Sequence, residues 1–255
     1  MSRRLRLHTA VAAVGAVLVS LPLASGSVAA AQPGNNSSVS WPIGTGSASV
    51  DPAAGYDVLF VRHGHSTYPQ PEEELSPLGI EQAAALAESL EGAPVNAVHT
   101  SMMLRAFQTG DDVASDHDVP VLADENLREI AFKAPADLPP AEQAAYYSNI
   151  VKLWISGEER DNDFGGEGYR AVEARWNTWW EGFLRQHRND HGTAVVVAHG
   201  GIYGVMLPAT CSNEITADFA VSHPLDNTGI VKARLHPDGT LTCSEWNGVP
   251  VPSAS

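Results

Sequence analysis

Two short runs constrain the fold more than anything else in the chain. DVLFV (Asp57–Val61) and TAVVVA (Thr193–Ala198) are apolar at nearly every position, so neither has a polar face to turn toward water. Strands of that kind belong in a sheet covered on both faces, the usual state of parallel sheets flanked by helices. From Tyr56 onward, short apolar runs alternate with stretches of helical periodicity, the pattern of an α/β domain. Further strands are expected at Val95–His99, Pro120–Ala123, Gly229–Leu235 and Leu241–Trp246. Helices are expected at Pro77–Leu90, Met102–Ala114, Pro140–Ile155 and Glu167–Gln186, with a short one after Gly201. Ser76 followed by Pro77 reads as an N-cap and a first-turn proline, and Ser101 is placed to cap the second helix in the same way. In the fourth helix Val172, Trp176, Trp179 and Phe183 recur at helical spacing, a stripe expected in the core.

The 255 residues, 44% hydrophobic, suffice for one sizeable core, and the N-terminal segment stands outside it. Arg3, Arg4 and Arg6 precede a mostly apolar run, Thr9 to Leu23, and Ala29-Ala30-Ala31 follows as a small-residue cleavage signature. Residues 1–31 therefore read as a secretory signal peptide, with an uncleaved anchor as the alternative. The apolar run is broken by Gly15 and Pro22 and is short for a membrane span. Ser2-Arg3-Arg4 resembles a twin-arginine signal, although Arg6 stands where an aromatic is usual. Residues 32–54, rich in Gly, Ser, Asn and Pro, read as a flexible linker. Residues 55–247 then hold the folded domain and residues 248–255 a loose tail.

Loss of the three arginines leaves 12 basic residues against 30 acidic ones, a formal charge of −18. That disfavours nucleic acid and anionic membrane as partners, and no stable membrane insertion is expected after cleavage. An anionic ligand must be attracted locally, which screening over about 8 Å permits. Nothing in the pattern specifies an oligomeric state. The two cysteines, Cys211 and Cys243, lie in the exported part. A disulfide between them suits an oxidising compartment and would contribute roughly 3–4 kcal/mol; two free thiols fit the composition as well. The pair is too sparse for a metal site.

Three strand ends share one chemistry. Arg62 and His63 follow the first strand. Ser101 follows the second, with Arg105 in the first turn of its helix. His199, Gly200 and Gly201 follow the TAVVVA run. Ligands of open α/β sheets bind beyond the carboxyl ends of strands, so the three junctions can share one rim. Helix side chains lean toward their own N-terminus, which brings Arg105 back over it. Free N–H groups at Gly200, Gly201 and the Ser101 helix start would add partial positive charge, and two guanidiniums match a dianion in charge and fork geometry. A single strand-end histidine is ordinarily a hydrogen-bonded surface group, and a lone first-turn arginine is ordinarily solvated. Three junctions together point instead to an oxyanion site. His63 and His65 are alternate residues that would point to opposite sides of an extended chain, with no carboxylate beside them, so no metal is expected there.

"LFVRHGHST", "LSPLGIEQA", "TSMMLRAFQT", "NLREI", "GGEGYRAVEAR" and "VVVAHGG" occur in this order. Together they resemble the histidine phosphatase superfamily, in its phosphoglycerate-mutase-like branch, from about Asp57 to Val231. The resemblance implies a three-layer α/β/α sandwich with a mostly parallel central sheet. It implies His63 as the nucleophile that takes the phosphoryl group, with Arg62, Arg105 and His199 in the phosphate pocket beside Gly200. It implies Glu129 as proton donor to the leaving oxygen, because His199 is followed by Gly200 and not by the aspartate of the acid-phosphatase branch. No cofactor or metal is implied; the substrate class is a small phosphate ester.

Four departures bear on the site. His65 stands where Glu or Gln is usual, and is read either as an extra phosphate donor or as a rim residue. Pro69 falls where an asparagine contact is common. Gly168 replaces the serine of a Gly-Glu-Ser stretch. After Glu129 the usual Gly-x-x-Glu-Gly gives way to "AFKAPADLPPAEQ". The segment from about 130 to 168 is expected to form a cap, where Tyr146, Tyr147, Ile150 and Trp154 share a helical face that either packs on the domain or lines the mouth. The expected function is a secreted, metal-independent phosphomonoesterase acting through phosphohistidine. A phosphoglycerate mutase-type phosphotransferase and a phosphate-ligand binder without turnover are the alternatives.

Overall fold

The computed structural model describes residues 55–67 and 73–252. The expected signal peptide and linker, and Pro69, lie outside the described residues. Strand β1 (Tyr56–Arg62) leads to helix α1 (Pro77–Ser89), then β2 (Val95–Ser101), α2 (Leu104–Asp116) and β3 (Val121–Asp124). A 3₁₀ turn at Glu125–Leu127 precedes α3 (Pro140–Ile155) and α4 (Tyr169–His187). The chain continues through β4 (Thr193–Ala198), α5 (Gly200–Thr210), α6 (Ala217–Ser222), β5 (Ile230–Leu235), β6 (Leu241–Trp246) and β7 (Val249–Pro250).

The sheet runs β3-β2-β4-β1-β5-β6-β7. Alternate residues of β1 and β4 face opposite layers, as strand geometry requires. Val58, Phe60, Ala194 and Val196 join a large apolar cluster with α4, α5 and the α3 region, while Leu59, Val61, Val195 and Val197 pack with α1 and α2. Those two clusters make the three layers. The Val172, Trp176, Trp179 and Phe183 stripe is fully within the larger cluster.

The sheet is parallel over one half alone. β1–β4, β2–β4 and β2–β3 pair in parallel, but β5, β6 and β7 add antiparallel strands beyond β1. The expectation of a mostly parallel sheet is corrected accordingly. β5 alternates half-exposed and buried residues, because its outer side carries Lys232 and Arg234, and such one-sided strands suit antiparallel pairing.

The expected tail also needs correcting. Asn247 (φ 51°) and Gly248 (φ 81°) turn the chain back, as an Asn-Gly pair does in a tight hairpin. Val249–Pro250 then pairs with β6 and Val251 is buried. α2 starts later than expected. Ser101 extends β2 into the ladder opposite Asp124, and Met103 occupies the N-cap position without a side-chain cap. Ser76 does cap α1, accepting from the Gly79 N–H with Pro77 in the first turn. α3 packs through Ile150 and Trp154 into the larger cluster, with Tyr146, Tyr147 and Phe132 against it, so the packing reading of that helical face is the one the structure shows. Cys211, at the end of α5, is joined to Cys243 of β6 by a disulfide with Cα atoms 5.7 Å apart.

Candidate active site

β1 and β4 are hydrogen-bonded neighbours in register, Arg62 opposite Ala198, so the residues after both strands emerge side by side. His63 N–H donates to the Ala198 carbonyl (3.0 Å), and the His63 and His199 rings meet edge to face with centroids 5.1 Å apart. From the first turn of α2, Arg105 Nε donates to His63 Nε2 (3.0 Å), reaching back as a helical side chain should. His63 Nδ1 contacts the Gly64 carbonyl at 2.7 Å. A carbonyl only accepts, so Nδ1 carries the proton and Nε2 presents its lone pair.

The surroundings hold that imidazole neutral. Burial lowers the His63 pKa from 6.5 to about 3, with Arg105, Arg62 and His65 adding to the effect against the opposing pull of the Gly64 carbonyl. His199 is completely buried, its pKa driven well below 6.5 by burial and then by His63, Arg105, Arg175 and Arg62. Its Nε2 lies 2.9 Å from Ser101 Oγ, and its Nδ1 has no partner among the described residues. Arg62 Nη1 donates to the Leu225 carbonyl (2.6 Å) and lies against Gly200, where a Cβ would sit 3.4 Å from Arg62 Cδ.

Glu129 arrives from the other side, just beyond the 3₁₀ turn. Its carboxylate accepts from the N–H groups of Gly201 (3.0 Å), Ile202 (2.9 Å) and Ile130 (2.9 Å). The N–H groups expected to be free at the start of α5 are thus partly taken: those of Gly201 and Ile202 hold Glu129, a natural use of a helix N-terminus. A Cβ on residue 201 would lie 2.6 Å from Glu129 Oε1, so any larger residue there would push the carboxylate aside. His65 is exposed, its Nδ1 2.7 Å from Ser76 Oγ and its N–H donating to Gln82. It sits on the rim with α1. His63, Arg62, Arg105, His199, Gly200 and Glu129 therefore converge, and His65 stands beside them.

Several supporting groups escaped the sequence reading. Thr109 Oγ1 accepts from Gly64 N–H and donates to the Arg105 carbonyl, linking the loop after β1 to α2. Asn227 Nδ2 donates to the His63 carbonyl. Arg175, buried in α4, is paired with Glu167 (2.8 Å) and donates to the carbonyls of Asn126 and Arg128. Glu167 also accepts from Ala131 N–H and Arg128, so the pair clamps both sides of Glu129. Glu73 pairs with Arg105. The Arg105-x-x-x-Thr109 spacing, one helical turn, is a usable signal for Thr109, and Glu167 and Arg175 stand within the GGEGYRAVEAR stretch; nothing local marks Asn227 or Glu73.

The model of the histidine phosphatase superfamily (branch 1) matches residues 58–248. The chain belongs to the histidine phosphatase superfamily. Among curated proteins the chain is 29% identical over 164 residues to a metal-independent phosphoserine phosphatase of Arabidopsis thaliana, covering 57% of this chain and 65% of that one. It therefore spans just under two thirds of that relative's length. Among solved structures it resembles a mycobacterial glucosyl-3-phosphoglycerate phosphatase, with TM-score 0.60 and 23% identity over 76% of this chain and 99% of the other. It also resembles a phosphoserine phosphatase of Entamoeba histolytica, with TM-score 0.57 and 20% identity over 75% and 96%. At these identities the structural likenesses speak for the fold.

Proposed function

We propose that this histidine phosphatase is a secreted phosphomonoesterase that hydrolyses small phosphate esters through a phosphohistidine at His63 and uses no metal. The observation that carries the reading is the His63 imidazole, buried and neutral, with its proton on Nδ1 and its Nε2 lone pair set against Arg105. A neutral imidazole is a competent nucleophile. Its Nε2 attacks phosphorus while the ester P–O bond breaks. Glu129 is the group placed to give the departing oxygen its proton. Water then attacks the phosphohistidine, the P–N bond breaks, and the Glu129 carboxylate takes the proton from that water. Arg62 and Arg105 stabilise charge on the transferring group in a preorganised pocket. A phosphoryl oxygen would also give the buried His199 Nδ1 a partner, and an unmet buried polar group costs about 1–3 kcal/mol.

The proteins of similar sequence and fold are named as phosphatases of phosphoserine and of glucosyl-3-phosphoglycerate, which supports a small phosphomonoester as substrate. Export is supported by the basic and apolar N-terminal segment, and by the Cys211–Cys243 disulfide, since such bonds persist in oxidising compartments. Hydrolysis of p-nitrophenyl phosphate after exhaustive EDTA treatment tests the activity: the wild type turns over and His63→Ala does not. Tight binding of phosphate or vanadate with no turnover would leave a ligand-binding homologue instead.

A further inference from the structure

The pocket that should receive an anion already holds one. Glu73, on the segment leading into α1, pairs its carboxylate with Nη1 of Arg105, the guanidinium that also touches the His63 nucleophile. Both side chains are largely enclosed, at 9% exposure for Arg105 and 24% for Glu73. The placement is anchored from the next residues on. The Thr67 N–H donates to the Glu74 carbonyl, Ser66 and Leu75 form a β-bridge, and Leu75 N–H donates to Gln108 of α2. Glu73 itself has φ 47°, a left-handed backbone that non-glycine residues seldom adopt, and its retention here presents the side chain to Arg105.

A phosphate dianion and the Glu73 carboxylate compete for the same fork. Once phosphate takes Arg105, the carboxylate remains beside it, and two negative groups in a partly enclosed site repel strongly. Glu73 is flanked in sequence by Glu72 and Glu74. A ligand that brings its own cation removes the conflict: an ammonium close to the ester oxygen would lie between phosphate and carboxylate and satisfy both. Resting on the phosphatase reading above, we propose that Glu73 is a specificity-determining residue that competes with plain anions for Arg105 and favours phosphomonoesters carrying a cationic amine near the scissile oxygen.

The test compares kcat/KM for O-phosphoethanolamine and ethyl phosphate, and inhibition by inorganic phosphate, in the wild type and in Glu73→Gln, with Glu74→Gln as control. The wild type should favour the amine ester by about tenfold or more. Glu73→Gln should shrink that preference to within about threefold and tighten phosphate inhibition several-fold, whereas Glu74→Gln should change neither. Glu73→Asp, one methylene shorter, should fall between, and serves if the glutamine variant does not fold. A preference that survives Glu73→Gln, or an equal loss on both esters, overturns the proposal. If the wild type fails to turn over even p-nitrophenyl phosphate, the phosphatase reading fails first; turnover without an amine preference sinks this inference alone.

Discussion

The Gly64 carbonyl can only accept, so its contact with Nδ1 fixes the proton of His63 on the far side of the ring from Arg105. The same scale governs Glu129, whose two oxygens are oriented by three backbone N–H groups. Glu129→Gln should keep part of that seating but cannot give a proton. Alkyl phosphates, whose leaving group needs one, should lose roughly 10²–10⁴ in kcat, and p-nitrophenyl phosphate much less. Gly201→Ala should shift the balance the same way by displacing the carboxylate. Equal losses on both substrates would remove Glu129 from the donor role. Arg62, His63, Arg105 and His199 were legible because each stands at a strand end or in a first helical turn, where local pattern fixes direction. The roles of Arg175, Asn227 and Glu73 were not, because their partners lie 49, 164 and 32 residues away along the chain and only the fold brings them near.

Among the elements, α4 does more than bury its tryptophan stripe. Through Arg175 and Glu167 it clamps residues 126 to 131, the stretch that carries Glu129. Arg175→Met leaves the half-buried Glu167 with Arg128 and the Ala131 N–H but without its principal partner, and the loss should stay below the roughly 3–5 kcal/mol of a fully buried pair. Urea unfolding should show that loss, and the activity that remains should again fall more on alkyl phosphates than on p-nitrophenyl phosphate. A stability loss with an unchanged substrate ratio would confine Arg175 to a purely structural role. Gly168, at the N-cap position, leaves α4 without a side-chain cap. The doubly covered strands and long helices were readable from periodicity. The antiparallel edge was readable too, from Lys232 and Arg234 alternating with apolar residues in β5, and so was the Asn247-Gly248 turn. α6, a six-residue helix behind Thr216, is too short for its periodicity to stand out.

For the molecule as a whole, burial of neutral imidazoles ties folding to pH. His99, packed against Trp179, Phe183 and His187, has its pKa lowered from 6.5 to about 4 by burial and by His187, and His63 is lowered to about 3. Between those limits the unfolded chain binds more protons than the folded one, so stability is full above about 6.5 and falls as pH drops below it. For His99 the loss amounts to roughly 3 kcal/mol by pH 4. Denaturation at pH 7 and pH 4.5 should show the fall in the wild type and a flatter profile in His99→Phe; an identical slope would place the acid sensitivity elsewhere. Catalysis should follow a different course. His63 stays neutral well below pH 6, so kcat for p-nitrophenyl phosphate should not fall with a midpoint near 6.5. The central claim for catalysis is that His63 takes the phosphoryl group. Rapid-quench labelling with a ³²P-labelled phosphomonoester, followed by peptide mapping, measures that directly. The structure predicts an acid-labile phosphoenzyme carried on His63 and absent in His63→Ala. Turnover with no labelled enzyme, or a label on another residue, would contradict it.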